Sequence, residues 1–188
     1  MSQHLMYDQV KTEGLKKKIL EFNGELNVLE GQELVYFESM IKVLTNVQNY
    51  HRTEISPQQL RVIDKLLAFP VEKAFPCMDL YRIYLLHPTS YEAYAASDAG
   101  ITYINTMIRF LSDEGYPKAI IMLTLRAMCN LFKNQSNCSV ALLNREKLID
   151  ATMPHLSHSD KNVRQAGITL LLNFSVEFNV REDQEGRV

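Results

Sequence analysis

The sequence predicts an all-α fold built from stacked helical repeats, and three observations carry that expectation. Leu67, Leu111 and Leu156 each close a short amphipathic run, at intervals of 44 and 45 residues. Asn130 and Asn173 lie 43 apart inside two similar apolar runs, AMCNLF and LLLNFS. Arg82 precedes Arg126 by 44, and LYRIYLL falls against LTLRAMC at that offset. A period in the low forties filled with helical pattern marks armadillo or HEAT repeats. One such unit cannot bury its apolar face alone. Stacking therefore makes a solenoid with a continuous core and a concave groove, which is the form of a binding module.

The elements follow in order. Thr12 to Asn23 places Leu15, Ile19 and Phe22 at helical spacing, and Gly24 ends that helix. A longer helix over Gln32 to Val47 carries Leu34, Phe37, Ile41 and Leu44 on one stripe, and QNYHRTEIS follows as a loop. Ser56-Pro57 reads as an N-cap with proline at the first helical position, opening PQQLRVIDKLL. Phe69-Pro70 breaks that helix. The next spans Ala74 to Leu86 and ends at His87-Pro88, because proline disfavours helical geometry in the residue before it. These two helices make a first repeat, 56–88. A second, 97–134, consists of SDAGITYINTMIRFL, the turn SDEGYP and KAIIMLTLRAMCNLF. A third, 144–178, consists of NREKLIDATMPHL, the turn SHSDKN and VRQAGITLLLNFSVEF. No strand-like alternation or linker divides residues 1–188, so one domain is expected.

Composition narrows the function. The chain has 188 residues, 46% of them hydrophobic, and a formal net charge of −2. That balance argues against nucleic acid or an anionic membrane as the general partner. MSQHLMYDQVKTEGLKKKIL has no signal-peptide character and no 18 apolar residues run together, so a cytoplasmic and nuclear location is expected. Cys77, Cys129 and Cys138 lack metal-type spacing and read as reduced thiols, two of them core filler. No metal and no cofactor are expected.

The groove face can be read from helical phase. Ile121, Leu125, Met128 and Phe132 form a buried stripe, whereas Met122, Arg126, Asn130 and Lys133 form a polar one at the same spacing. Gln165, Thr169 and Asn173 match it in the third repeat; Met78, Arg82 and Leu86 match it in the first. An asparagine in an apolar helix is costly unless its amide is hydrogen-bonded. One amide both donates and accepts, so it suits the backbone of an extended peptide. The other reading is that Asn130 and Asn173 cap loops or pair with a neighbouring repeat; their common phase favours the groove. Arg82 has Asp79 one turn before it, where a surface ion pair would contribute roughly 0–1 kcal/mol. Both arginines nonetheless lie in phase in the most apolar helices, where a guanidinium binds a carboxylate with two hydrogen bonds. The expected peptide-binding residues are therefore Arg82, Arg126, Asn130, Lys133, Thr169 and Asn173, and the ligand an acidic or C-terminal peptide.

Catalysis finds little support. His155, His158 and Asp160 fall after Pro154 and are expected in a solvated turn rather than a metal site. Cys77 and His87, ten residues apart on one helix, would stand about 15 Å apart along its axis and cannot pair. LKKK reads as a solvated helix face. No nucleophile, base and orienting group can be assembled, so no enzyme is expected.

AFPCMDLYRIYLLHP (Phe75, Pro76, Asp79, Arg82, His87, Pro88), LRAMCNLF and NVRQAGITLLLNFSV resemble the PUL domain, the armadillo-type C-terminal domain of the phospholipase-A-2-activating protein family. LKKKILEFN and QQLRVIDKLL resemble its opening helices. The resemblance implies capture of the acidic C-terminal tail of an AAA+ segregase, valosin-containing protein, in a basic groove, and a role in ubiquitin-dependent protein handling. The alternative is a structural armadillo spacer, or an acidic-peptide scaffold for a different partner. Family members carry WD40 and ubiquitin-binding domains, or thioredoxin-like or isopeptidase domains, so the resemblance implies a longer parent chain. They also continue through about two further repeats. The third repeat is therefore expected to expose an apolar face, around Ile168 to Phe178, and to self-associate through it. The tail Arg181 to Val188 is too short and polar to cover that face.

Overall fold

A computed structural model describes residues 4–95 and 99–185. The start of the expected second repeat, Ser97-Asp98, and the end of the tail, Gly186 to Val188, lie outside the described residues. Ten α-helices and no strands occur among the described residues. They are α1 (Thr12–Leu26), α2 (Gln32–Thr45), α3 (Pro57–Leu67), α4 (Phe75–Tyr84), α5 (Ser90–Ala95), α6 (Ala99–Phe110), α7 (Lys118–Asn130), α8 (Gln135–Leu143), α9 (Arg145–Thr152) and α10 (Lys161–Glu185). The all-α solenoid is the architecture.

Local chemistry fixes the elements. At α3, the Ser56 hydroxyl accepts from the Gln59 N–H at 3.2 Å, and the Ser56 N–H donates to the Gln59 side chain at 2.8 Å. This capping box satisfies two otherwise orphaned groups, with Pro57 in the position where no N–H is needed. At the end of α1, Asn27 adopts the left-handed conformation (φ 50°) and returns its N–H to the Asn23 carbonyl at 2.7 Å. The buried Asn23 amide then holds both the N–H and the C=O of Leu29.

Three differences from the sequence reading have physical causes. The stretch after α2 is not a plain loop: Val47–Arg52 forms a 3₁₀ turn closed by the Tyr50 hydroxyl, which donates to the Leu44 carbonyl at 2.8 Å. Helices α5 and α8 add a connection to each of the first two repeats. QSNCSVALL in α8 carries no single apolar stripe, so nothing in its pattern announced a helix. Finally, α10 runs past Phe178 to Glu185 because no breaker interrupts it.

Two rows of helices make up the stack. In one, α4 packs on α7 and α7 on α10; α1 lies against α4. The other row shows why the leucine spacing is regular. Arg109 donates to the Leu67 carbonyl at 3.3 Å, and His155 Nε2 donates to the Leu111 carbonyl at 2.9 Å. Each repeat thus caps a carbonyl at the end of the preceding repeat's helix. His155 is buried in this joint, not solvated as its turn-like sequence suggested. Tyr81, Tyr84, Phe110 and Phe174 fill the core between the rows. On α10, Leu170 and Phe174 are buried, whereas Ile168 and Leu172 are 59% and 47% exposed.

Candidate binding groove

Residues 4–11 form no helix and cross the row α4, α7, α10 as an extended strap. An extended chain presents the N–H and C=O of alternate residues along one edge. Here those residues are Leu5, Tyr7 and Gln9, which run from the third repeat back to the first.

The Leu5 N–H donates to Asn173 Oδ1 at 2.8 Å, and Asn173 Nδ2 donates to the Leu5 carbonyl at 2.9 Å. Asn130 repeats the arrangement at Tyr7, with both bonds at 2.8 Å. Each amide also reaches back one repeat: Asn130 Nδ2 to the Arg82 carbonyl at 2.9 Å, and Asn173 Nδ2 to the Cys129 carbonyl at 3.4 Å. The two readings of these asparagines therefore coexist, because a carboxamide has two N–H groups to give. Two residues of extended chain advance about 7 Å, slightly less than the about 8–10 Å between packed helices, and the amide side chains take up the difference.

Arg82 completes the ladder on α4. It donates to the Tyr7 carbonyl at 2.5 Å, to the Gln9 carbonyl at 2.8 Å, and to Asp79 through Nε at 2.8 Å and Nη2 at 2.6 Å. The sequence suggested a weak surface pair with Asp79. Arg82 is instead only 3% exposed, and the pair is held inside the fold by the two strap carbonyls. Removing Asp79 would leave the buried Arg82 charge without its carboxylate. Thr169 accepts the Tyr7 hydroxyl at 3.2 Å while its own hydroxyl donates to the Gln165 carbonyl. Of the six residues expected to hold a foreign peptide, Arg82, Asn130, Thr169 and Asn173 hold the chain's own strap.

Arg126 and Lys133 are placed differently. The Arg126 guanidinium lies over the Tyr7 ring, 4.8 Å from its centroid, and its buried Nε has no hydrogen-bond partner. Lys133 is exposed on the 3₁₀ turn after α7. The strap separates two clefts. One, of about 620 Å³, is walled by Gln9, Val10 and Lys11 of the strap and by Lys18, Arg82 and Arg126. Asp79 is its one acid, and Arg82 already neutralises it. The other, of about 810 Å³, lies across Gln9 and Val10 and is bounded by Leu44, Val47, Tyr50, Leu86 and Lys133. The first cleft is cationic; the second is mixed, with Asp8, His51 and Lys133 among its apolar walls. Lys18 is shared with Glu21 at 2.7 Å, which leaves Arg126 and Lys11 as the cleft's uncommitted positive charges.

The strap escaped the sequence reading because eight residues carry no helical period and their partners lie as far as 168 positions away. The only local signal is that Met6, Tyr7 and Val10 are apolar in a stretch that forms no helix.

No group of three metal-ligating side chains occurs among the described residues. His158 Nδ1 accepts from the Asp160 N–H at 3.0 Å, and Asp160 pairs with Lys118 at 3.0 Å. The Lys118 hydrogen bond first, then the Asn162 N–H, hold the Asp160 carboxyl below its ordinary range. This is a helix-entry turn, with His155 occupied elsewhere. No described helix is long and apolar enough to cross a membrane.

Comparison with known proteins adds the family context. The model of the PUL domain matches residues 1–188. Phospholipase A-2-activating protein of Xenopus laevis is 23% identical over 184 residues, a span covering 96% of the present chain and 22% of that relative.

Proposed function

Because the chain belongs to the PUL domain family, we propose that it is an adaptor that captures the acidic C-terminal tail of an AAA+ segregase of the valosin-containing protein type. The observation that carries this reading is the uncommitted guanidinium of Arg126 at the cationic cleft, with Lys11 and Lys18 beside it. A planar guanidinium takes a carboxylate through two parallel hydrogen bonds. A cleft walled by like charges attracts an acidic chain before contact is made. Lys133, across the strap, would steer the same ligand. Arg82, Asn130, Thr169 and Asn173 act from below by fixing the strap on which the ligand lies. Such a module works in ubiquitin-dependent protein handling, in the cytoplasm and nucleus, as a binding protein rather than an enzyme. The exposed Ile168 and Leu172 would also give it a self-association surface.

The test is calorimetric titration with an Asp-rich peptide ending in a free carboxylate. Arg126→Ala should weaken binding by about 1.5–3 kcal/mol, the loss of a charged bidentate contact. Binding should also weaken as salt rises, since the cleft is open to solvent. An affinity that ignores both changes rules out this site. A chain that binds no acidic peptide at all would favour the spacer reading, in which the self-filled groove is structural.

A further inference from the structure

We infer that the acid-binding cleft is composite: the chain's own residues 7–11 supply one of its walls, and Tyr7 is a positioning residue for Arg126. The strap is then a helper in ligand capture, not an occupant that must leave. This rests on the reading of the cationic cleft as the acid-binding site.

Three observations support it. Gln9, Val10 and Lys11 line the cationic cleft, so removing the strap would open that cleft on one side and merge it with the cleft beyond. The Arg126 guanidinium rests on the Tyr7 ring, and the Tyr7 hydroxyl is tied to Thr169 on the next repeat. A cation over an aromatic face keeps its N–H edge free for an anion in the ring plane's direction. The ring thus presents the guanidinium without consuming its donors, whereas a carboxylate partner would consume them. Arg82 shows the contrast. It has spent its donors on Asp79 and on the strap carbonyls, so it holds the wall and does not receive the ligand.

The geometry also argues against simple competition. The asparagines and Arg82 are buried under the strap, and their strap-facing hydrogen bonds go to backbone groups of Leu5, Tyr7 and Gln9. A ligand displacing the strap would have to rebuild every rung. A ligand lying against it needs to rebuild none. Positive coupling follows: whatever seats the strap favours the acid, and by linkage the acid favours the strap to the same degree.

The experiment compares four proteins against the same Asp-rich peptide: the full chain, Tyr7→Phe, Tyr7→Leu and a chain lacking residues 1–10. Tyr7→Phe keeps the ring and should bind within twofold of the full chain. Tyr7→Leu removes the ring and should lose about tenfold, with helical content unchanged. The shortened chain should lose at least as much, and a synthetic peptide of residues 1–11 added in trans should restore binding. Equal losses for Tyr7→Phe and Tyr7→Leu would overturn the ring's role. A shortened chain that binds as well or better, or a strap peptide that inhibits, would overturn the composite site while leaving the cationic cleft in place. Should the shortened chain not fold, the two full-length Tyr7 variants decide. If the full chain itself does not bind the acidic peptide, the underlying reading fails and this inference fails with it.

Discussion

Asn130→Ala tests the hydrogen-bond ladder most directly, and its cost follows from the structure. The side chain makes three hydrogen bonds: 2.8 Å from the Tyr7 N–H, 2.8 Å to the Tyr7 carbonyl and 2.9 Å to the buried Arg82 carbonyl. At about 1 kcal/mol net for each, the substitution should cost about 2–3 kcal/mol. For a domain of this size that lowers Tm by roughly 5–10 °C. Two of the three bonds belong to the strap. In a chain lacking residues 1–10, the same substitution should therefore cost only about 1 kcal/mol. Thermal and denaturant unfolding of the four members of this double-mutant cycle would give a coupling of about 1–2 kcal/mol between Asn130 and the strap. An equal cost in both backgrounds would show that the amide serves the repeat joint alone. Asn173→Ala should cost less than Asn130→Ala, since its bond to the Cys129 carbonyl is long at 3.4 Å and Leu5 is 51% exposed to water that can replace the rest.

Other expectations follow from single residues. Burial lowers the His87 pKa from its ordinary 6.5, so the unfolded chain takes up this proton first and stability should fall as pH drops below about 6.5. His87→Gln should flatten that slope in acid unfolding curves. Burial pushes the Tyr50 hydroxyl up to about 12, so it contributes stability below pH 10 that is lost as pH rises through about 12. Burial raises the Tyr84 hydroxyl as well, so alkaline absorbance titration should show a late-ionising group of tyrosines that loses one member in Tyr50→Phe. Burial also pushes the Cys77 and Cys129 thiols well up, and neither should react with a thiol probe until the chain unfolds. Light scattering across a dilution series should reveal association that Leu172→Lys suppresses; an unchanged mass in both proteins would show that the exposed face of α10 has no self-affinity.

The repeats were legible because their period and their caps are local facts. Ser56-Pro57 and the regular leucines need only neighbours in sequence to be read. Helices α5 and α8 were not, since SYEAYA is too short and QSNCSVALL too mixed to show a stripe. Asn130 and Asn173 were legible as backbone-binding groups, because a carboxamide inside an apolar helix must find partners. Their partner was not. Nothing in HLMYDQV marks it as the segment that would lie there, since backbone hydrogen bonds are nearly indifferent to side-chain identity. Arg82 was read as a groove residue, but not the strap that buries it there, since that segment comes from outside its own repeat. His155 was misjudged because a polar turn sequence does not reveal that a carbonyl 44 residues earlier lies within its reach.

The strap also sets an order of events during synthesis. Leu5 emerges from the ribosome long before Asn173, 168 positions later. At about 5–20 residues per second, roughly 10–30 s separate the two. Late in that interval α4 and α7 can pack, since a stack grows from local contacts, but the last rung does not yet exist. Until α10 arrives, Leu5 hangs from a partly built surface with its backbone groups unpaired, open to any chaperone or neighbouring strand that binds extended peptide. Pairing of Leu5 with Asn173 is the step that reports completion of the third repeat.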